Sequence, residues 1–127
     1  MVMKPAAPPP GSRARSGGAA GLTTAREARP DGVVVRLRGG LHAATACVLR
    51  EAVEGALEGG PSTVVLDLTD VVADDDLGLW VIPAVAGDAH ARGVAFTVVA
   101  PKRALRSRLR RLGGRPFDIT DVRPAGC

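Results

Sequence analysis

Short apolar runs alternate along this chain with longer stretches in which apolar and polar residues recur at helical spacing. The runs at residues 33–37, 63–68 and 94–99 are rich in valine and leucine, a pattern typical of buried β-strands. A weaker alternation over residues 22–28 predicts an edge strand. The intervening Pro30-Asp31-Gly32 is a turn signal, so we expect the first two strands to pair as a hairpin.

The first helical stretch follows Gly39-Gly40. Apolar residues recur there at i, i+1, i+4, i+5, i+8 and i+9, which forms one stripe on a helix. Thr45 is the expected N-cap and Gly59-Gly60 the C-terminal stop. The members of the stripe are Val48, Leu49, Ala52, Val53, Ala56 and Leu57.

Two further helices are predicted. One runs from about Leu77 to Ala91 and ends at Gly93; Pro83 within it removes one backbone hydrogen bond, so a kink is expected. The other opens at Pro101 and closes at Gly113-Gly114. Its narrow apolar line is formed by Leu105, Leu109 and Leu112.

Strands that alternate with helices of this length indicate an α/β sheet. The predicted element order is β-β-α-β-α-β-α, and residues 117–119 are a candidate short last strand. Residues 1–21 are rich in Pro, Gly, Ala and Arg without apolar periodicity, so we expect a disordered tail. The folded domain is predicted over residues 22–123.

Composition narrows the possible functions. The 127 residues suit one domain, and 46% hydrophobic content is enough for a core. Aromatic residues make up only 2%, with Trp80 the one tryptophan, which disfavours modules that stack nucleic-acid bases. Two cysteines, Cys47 and Cys127, are too few for a disulfide framework; Cys47 is expected to be a buried thiol. With no secretory or membrane-spanning run in the sequence, a cytoplasmic protein is expected.

Basic residues outnumber acidic ones, with a net charge of +4. One group lies in the predicted third helix, and two interpretations remain open for it: a solvated helix face, which we favour, or a nucleic-acid-binding surface. No helix-turn-helix spacing accompanies the group. Its members are Lys102, Arg103, Arg106, Arg110 and Arg111.

Three consecutive aspartates, Asp74, Asp75 and Asp76, lie where the strand at residues 63–68 gives way to the second helix. Carboxylates at a helix N-terminus cap free N–H groups and complement the helix dipole. A magnesium site is a rival interpretation, but consecutive side chains point in different directions. A phospho-accepting receiver domain is disfavoured, because Gly39-Gly40 occupies the place where its acidic pair is expected.

The ordered set of motifs resembles the STAS domains of bacterial anti-sigma-factor antagonists. Residues 39–45, Gly-Gly-Leu-His-Ala-Ala-Thr, are similar to the G-E-L-D-x-x-T motif that precedes the first helix of that family. Residues 75–79, Asp-Asp-Leu-Gly-Leu, follow a strand and are similar to the family's D-S-S-G-L signature. The resemblance runs from about residue 22 to 122. It implies a single domain with a mixed sheet of four to five strands packed against three to four helices.

The resemblance also implies a function. Members of the family are non-enzymatic modules without cofactors, and they bind an anti-sigma factor that is also a serine kinase of the ATPase class. The implied partner-binding loop and helix start comprise Asp74, Asp75, Asp76, Leu77, Gly78, Leu79 and Trp80, and the implied secondary surface comprises Gly39, Gly40 and His42. Asp76 stands where the family carries its phosphorylated serine, so we expect no phosphorylation switch. Gly78 is explained by a close backbone approach at the helix start.

Alternatives to this function remain. A STAS scaffold in a different signalling complex would bind protein but no sigma regulator, and a basic nucleic-acid-binding protein is the less favoured third option. No Ser/His/Asp or Cys/His constellation is visible in the sequence, so an enzyme is not expected. Metal and membrane partners are not expected either. Whether Asp76 mimics a phosphorylated serine or suits a different partner stays open, because a comparison of the charges of aspartate and phosphoserine alone does not decide it.

Overall fold

The structure is a computed structural model, and it describes residues 21–112 and 117–121. Within these residues the predicted element order is confirmed. The strands are β1 (Leu22–Arg29), β2 (Gly32–Leu41), β3 (Thr63–Ala73), β4 (Ala95–Val99) and β5 (Asp118–Thr120). The helices are α1 (Ala46–Glu58), α2 (Asp76–Leu79), α3 (Val81–Ala91) and α4 (Arg103–Arg111).

The five strands form one mixed sheet in the order β1-β2-β3-β4-β5. The predicted hairpin is confirmed, since β1 pairs antiparallel with β2. The later pairs are parallel, because a helical connection separates each strand from the next. The sheet and helices share one apolar core. Its strand members alternate in sequence, as one face of a sheet requires, and include Val35, Leu37, Val64, Leu66, Leu68, Phe96 and Val98.

The apolar stripe predicted for α1 faces that core. Leu49, Val53, Ala56 and Leu57 are buried, and α1 packs against α3. The prediction for Cys47 was wrong, because its side chain is exposed. Cys47 precedes the buried Leu49 by two residues, which is about 200° around the helix and therefore on its outer side.

The β3 strand is longer than predicted. Its pairing with β2 continues from Arg38 and Asp70 to Leu41 and Ala73, so residues 69–73 belong to the strand and not to an acidic loop. Backbone pairing with a long neighbouring strand decides their conformation here, although Thr69 and Asp70 interrupt the apolar pattern. Only Asp74 and Asp75 remain between β3 and α2.

The kink expected from Pro83 takes the form of a break, because the second predicted helix is divided at Trp80 into α2 and α3. Pro83 lies in the first turn of α3, where an N–H has no partner within α3 itself. The N–H that proline lacks would pair with the carbonyl four residues earlier, that of Leu79, which is the last residue of α2. The short α2 and the longer α3 therefore meet where that hydrogen bond is missing.

Thr45 occupies the N-cap position of α1 as predicted, but its side chain does not cap the helix. The buried hydroxyl instead accepts a hydrogen bond from the His42 N–H at 3.0 Å and donates one to the Gly40 carbonyl at 2.8 Å. This arrangement fixes the turn between β2 and α1. Nearly all of the predicted tail, together with Gly113-Gly114 and Cys127, lies outside the described residues, and the domain bounds 22–123 stay a prediction.

Candidate functional site

The two segments that sequence reasoning singled out meet at the carboxyl ends of β2 and β3. Gly40 pairs with Val72 and Leu41 with Ala73, so the residues that follow each strand leave the sheet side by side. The Asp74 N–H donates to the Leu41 carbonyl at 2.9 Å. Such an edge of a parallel sheet is a common location for functional loops. We call residues 72–80 together with Gly39, Gly40 and His42 the α2 surface.

Asp75 is the N-cap of α2. Its Oδ1 accepts a hydrogen bond from the Gly78 N–H at 2.7 Å, and its Oδ2 accepts one from the Ala43 N–H at 3.4 Å. The bond from Gly78 is the main cause that lowers the pKa of Asp75 below its ordinary value of 3.8; burial opposes it, and the Ala43 bond and the charges of His42 and Arg108 add smaller decreases. One ionised side chain therefore links both halves of the α2 surface.

Gly78 confirms the close approach expected from the sequence. A Cβ atom built on Gly78 would lie 2.6 Å from the Cα of His42, a separation that real Cβ atoms do not tolerate. A Cβ on Gly40 would likewise lie 2.9 Å from Oδ2 of Asp74. The segment after β2 and the segment after β3 are thus in close contact at glycine positions, where no side chain keeps them apart. Gly39, the third glycine, lies against the backbone of Gly21 on the other side of β2.

Asp76 does not project freely into solvent. Its Oδ1 accepts two hydrogen bonds from Arg108, from Nη2 at 2.8 Å and from Nε at 3.1 Å. The Nη1 atom of Arg108 donates to the carbonyl of Ala73 at 2.8 Å. Arg108 therefore joins α4 to the end of β3 and to the start of α2.

Sequence reasoning missed Arg108, because 32 residues separate it from Asp76 and it belongs to a basic helix. A signal was present nevertheless. Arg108 lies three residues after Leu105 and one before Leu109, both of which are buried. Residues three apart are neighbours on a helix, so Arg108 lies next to Leu105, at the border of the apolar line.

Large apolar side chains are exposed on the α2 surface. Val72, Leu77 and Trp80 are 57%, 69% and 50% exposed, and they are the exposed large hydrophobic residues of the described part of the chain. Trp80 is thus half exposed and outside the apolar core. Gly78 and Leu79, which also belong to the predicted partner-binding loop, are buried. They therefore pack within the domain and present no side chain to a partner.

The charged side chains at this site are largely engaged within the domain. Within residues 21–112 and 117–121, no group of three or more His, Cys, Asp or Glu side chains converges as a metal site would require. Asp75 is engaged by backbone N–H groups and Asp76 by Arg108, while Lys102 donates to the Val71 carbonyl at 3.3 Å. The described helices include none with the length and apolar character that crossing a bilayer demands.

The basic helix α4 is partly committed to the fold. Arg106 donates to the carbonyls of Ala100 and Pro101 at 2.9 and 2.7 Å, in addition to the bonds of Lys102 and Arg108 described above. Exposed basic residues on α4 include Arg103, Arg110 and Arg111. Cationic side chains that bind backbone carbonyls favour the interpretation of α4 as a structural helix with a solvated face over that of a nucleic-acid surface.

Comparison with solved structures defines the class of fold. An anti-sigma factor antagonist from Mycobacterium paratuberculosis is 22% identical, with a TM-score of 0.62 over 80% of this chain and 86% of that one. The anti-sigma factor antagonist SpoIIAA in its unphosphorylated form is 18% identical, with a TM-score of 0.59 over 79% and 89%. An uncharacterised protein of SpoIIAA-like fold from Shewanella loihica is 14% identical, with a TM-score of 0.51 over 80% and 87%. The chain has the SpoIIAA-like α/β fold that the sequence predicted.

The family follows from sequence. The sequence model of the family described as "Mlab, STAS domain" matches residues 24–114, which is most of the chain. The protein therefore belongs to the STAS domain family. No curated protein matches it in sequence.

The packing at Gly78 generates a prediction. Gly78→Ala forces a methyl group against the His42 backbone, and overpacking of this kind costs about 1–3 kcal/mol. We expect urea denaturation to show that loss in the free energy of unfolding. Gly59→Ala is the matched control, since a Cβ there meets only Ala56 O at 3.6 Å, and its effect should stay within about 0.5 kcal/mol. Equal stability of the two variants would contradict the close packing of the loops.

The lowered pKa of Asp75 predicts a pH dependence. The ionised carboxylate stabilises the folded state at pH values above its unfolded pKa, and this contribution is lost as the pH falls through the lower folded pKa. Asp75→Asn removes the charge, so the stability difference between wild type and variant should shrink between about pH 5 and pH 2, measured by urea unfolding.

Asp31→Asn, which removes an exposed carboxylate from the turn after β1, is the control for that titration. A difference between wild type and Asp75→Asn that stays constant across the acidic range would contradict the role given to Asp75.

Proposed function

We propose that this STAS domain is an anti-sigma-factor antagonist that binds an anti-sigma factor of the serine-kinase ATPase class through its α2 surface. The domain acts by docking and catalyses nothing itself. When it occupies the anti-sigma factor, the sigma factor is released. The observation that carries the proposal is that the exposed large apolar residues of the described part of the chain, Val72, Leu77 and Trp80, all fall within residues 72–80.

Exposed apolar side chains favour docking for a physical reason. When a partner covers such a side chain, each Å² of apolar area removed from water contributes about 25 cal/mol of favourable free energy. A half-exposed tryptophan is among the residues most often found as an energetic anchor of interfaces. Isolated exposed apolar residues are ordinary, but the exposed large apolar residues of the described part of the chain all fall within residues 72–80, and such a concentration is typical of interaction sites. Val72, Leu77 and Trp80 are neither members of the apolar core nor among the partly buried residues packed against it.

The α2 surface is also held in a defined shape. Asp75 ties α2 to Ala43, Gly78 packs on His42, and Asp74 pairs with Leu41. A surface that is rigid before binding loses little conformational entropy in the complex. These contacts support the assignment of Gly40 and His42 to the same docking surface as residues 74–80.

Position 76 sets this domain apart from phosphorylation-switched relatives. Residues 71–79 contain no hydroxyl side chain, so a serine kinase has no acceptor there. Asp76 carries one negative charge, against about −1.5 to −2 on a phosphoserine. We propose that binding by this domain is controlled in another way than by phosphate at residue 76.

The binding surface has a direct test. The purified chain is titrated by calorimetry against each anti-sigma factor kinase of its own cell, beside the variants Leu77→Asp and Thr24→Asp. Leu77 is exposed, so Leu77→Asp should leave stability within about 0.5 kcal/mol. The charge it places in an apolar contact should weaken binding at least tenfold.

Thr24→Asp introduces the same charge at an exposed position on edge strand β1 and should bind like wild type. Failure of every such anti-sigma factor to bind the wild-type chain would remove the proposed function. Equal affinities of Leu77→Asp and wild type would instead move the interface to another surface. A stable complex with a protein outside sigma regulation would favour the scaffold alternative.

Phosphorylation has a separate test. Incubation of the wild-type chain with the kinase and ATP should leave residues 71–79 unmodified by mass spectrometry, because they contain no acceptor. Asp76→Ser should gain one phosphate at residue 76 if that position corresponds to the family's serine. Asp74→Ser, two residues earlier, is the matched control and should stay unmodified. Phosphate within residues 71–79 of the wild-type chain, or on Ser at 74 but not at 76, would refute the assignment.

A further inference from the structure

The α2 surface carries a negative charge at the position where phosphate would disrupt docking, and yet that charge is paired. Asp76 is exposed, so its carboxylate would ordinarily be a free charge beside Leu77 and Trp80. The guanidinium of Arg108 meets one oxygen of that carboxylate through two N–H groups. The pair as a whole is neutral.

The position of Arg108 is fixed by more than Asp76. Its Nη1 bond to the Ala73 carbonyl holds the guanidinium at the end of β3, and the stem of Arg108 lies beside the buried Leu105 and Leu109 on α4. The side chain is about one-quarter exposed. Ion pairs between two mobile surface side chains contribute little, but a guanidinium that is already held in place keeps its charge next to the carboxylate.

We propose that Arg108 is a charge-balancing positioning residue, which neutralises Asp76 and keeps the α2 surface permanently receptive to its partner. The aspartate therefore does not act as a substitute for phosphoserine. The part of this inference that concerns the partner rests on the proposed function; the charge balance itself does not.

The physical consequence is a difference in what a partner meets. A phosphoserine would present a net charge of about −1.5 to −2 that must be desolvated or repelled on docking. The Asp76–Arg108 pair presents no net charge, and its hydrogen bonds are made within the domain. A partner can then cover Leu77 and Trp80 without facing an unpaired carboxylate at position 76.

Trp80 allows the charge balance to be measured without any partner. It is the one tryptophan of the chain, it is half exposed, and its backbone N–H donates to the backbone carbonyl of Asp76 at 3.1 Å, one helical turn earlier. Quenching of its fluorescence by iodide reports the local concentration of anions, and quenching by caesium that of cations. Acrylamide, which is neutral, reports exposure alone.

The experiment is a double-mutant cycle on the full chain at low ionic strength. Arg108→Ala should lower the ratio of iodide to caesium quenching about twofold, because one unpaired negative charge lies near the indole. Asp76→Asn should raise the ratio by a similar factor, because the guanidinium is then unpaired. The double variant should return to the wild-type ratio.

Arg110→Ala is the matched control. It removes the same charge from α4 two residues away, about 200° around the helix, and should change the ratio far less than Arg108→Ala. Acrylamide quenching should be the same in all variants. If Arg108 acted only as a tether for α2, Arg108→Ala would raise acrylamide quenching and Asp76→Asn would not restore it; that result would overturn the proposal.

Asp76→Asn keeps the test decisive even if Arg108→Ala does not fold. An unchanged ratio in Asp76→Asn would mean that the carboxylate is not what Arg108 balances, and the proposal would fail.

Binding then separates the two proposals. With the anti-sigma factor that binds the wild-type chain, Arg108→Ala should bind at least fivefold more weakly, and high salt should reduce the difference. Addition of Asp76→Asn to Arg108→Ala should recover most of the affinity. One outcome is that the quenching ratio changes as expected in both single variants and returns in the double variant, while no anti-sigma factor binds wild type. In that case the proposed function fails and the charge balance stands. If wild type binds and Arg108→Ala binds equally well, the inference about the receptive surface fails alone.

Discussion

The parallel pairing of β2 with β3 is the constraint on which the rest of this structure depends. Because the two strands run side by side to Leu41 and Ala73, the segments that follow them begin as neighbours. Three contacts of the α2 surface use that proximity: the Asp74–Leu41 hydrogen bond, the Asp75 bond to Ala43 and the packing of Gly78 on His42. Residues far apart in sequence thus form one continuous surface without a long loop.

The chain's electrostatics are organised around backbone groups as much as around opposite charges. Arg106 and Lys102 bind carbonyls near the ends of β4 and β3, while Arg108 binds both a carbonyl and a carboxylate. Such bonds satisfy acceptors where strands end and ladder partners are no longer available. The helix α4 has the basic composition of a nucleic-acid-binding helix, but several of its basic side chains form hydrogen bonds that hold it to the rest of the domain.

Much of the fold could be predicted from sequence because local signals and tertiary packing agree. The valine-rich runs are strands, the stripe from Leu49 to Leu57 faces the core, and Gly78 permits the close approach expected of it. Errors arose where tertiary contacts outweighed local pattern. Pairing with β2 kept residues 69–73 extended, and the hydroxyl of Thr45 bonded to Gly40 and His42 in place of a helix N–H. The Asp76–Arg108 pair could not be found from spacing alone, since it depends on where the fold places α4 relative to the end of β3 and the start of α2.

The support beneath α2 has a consequence for how such a domain diversifies. Gly78 and Leu79 are buried and pack within the domain, whereas Val72, Leu77 and Trp80 are exposed and do not belong to the core. The side chains proposed for recognition and those that pack in the fold are therefore different residues of one short segment. Replacement of the outward residues can then change the surface that the domain offers, while the scaffold that presents it remains unaltered.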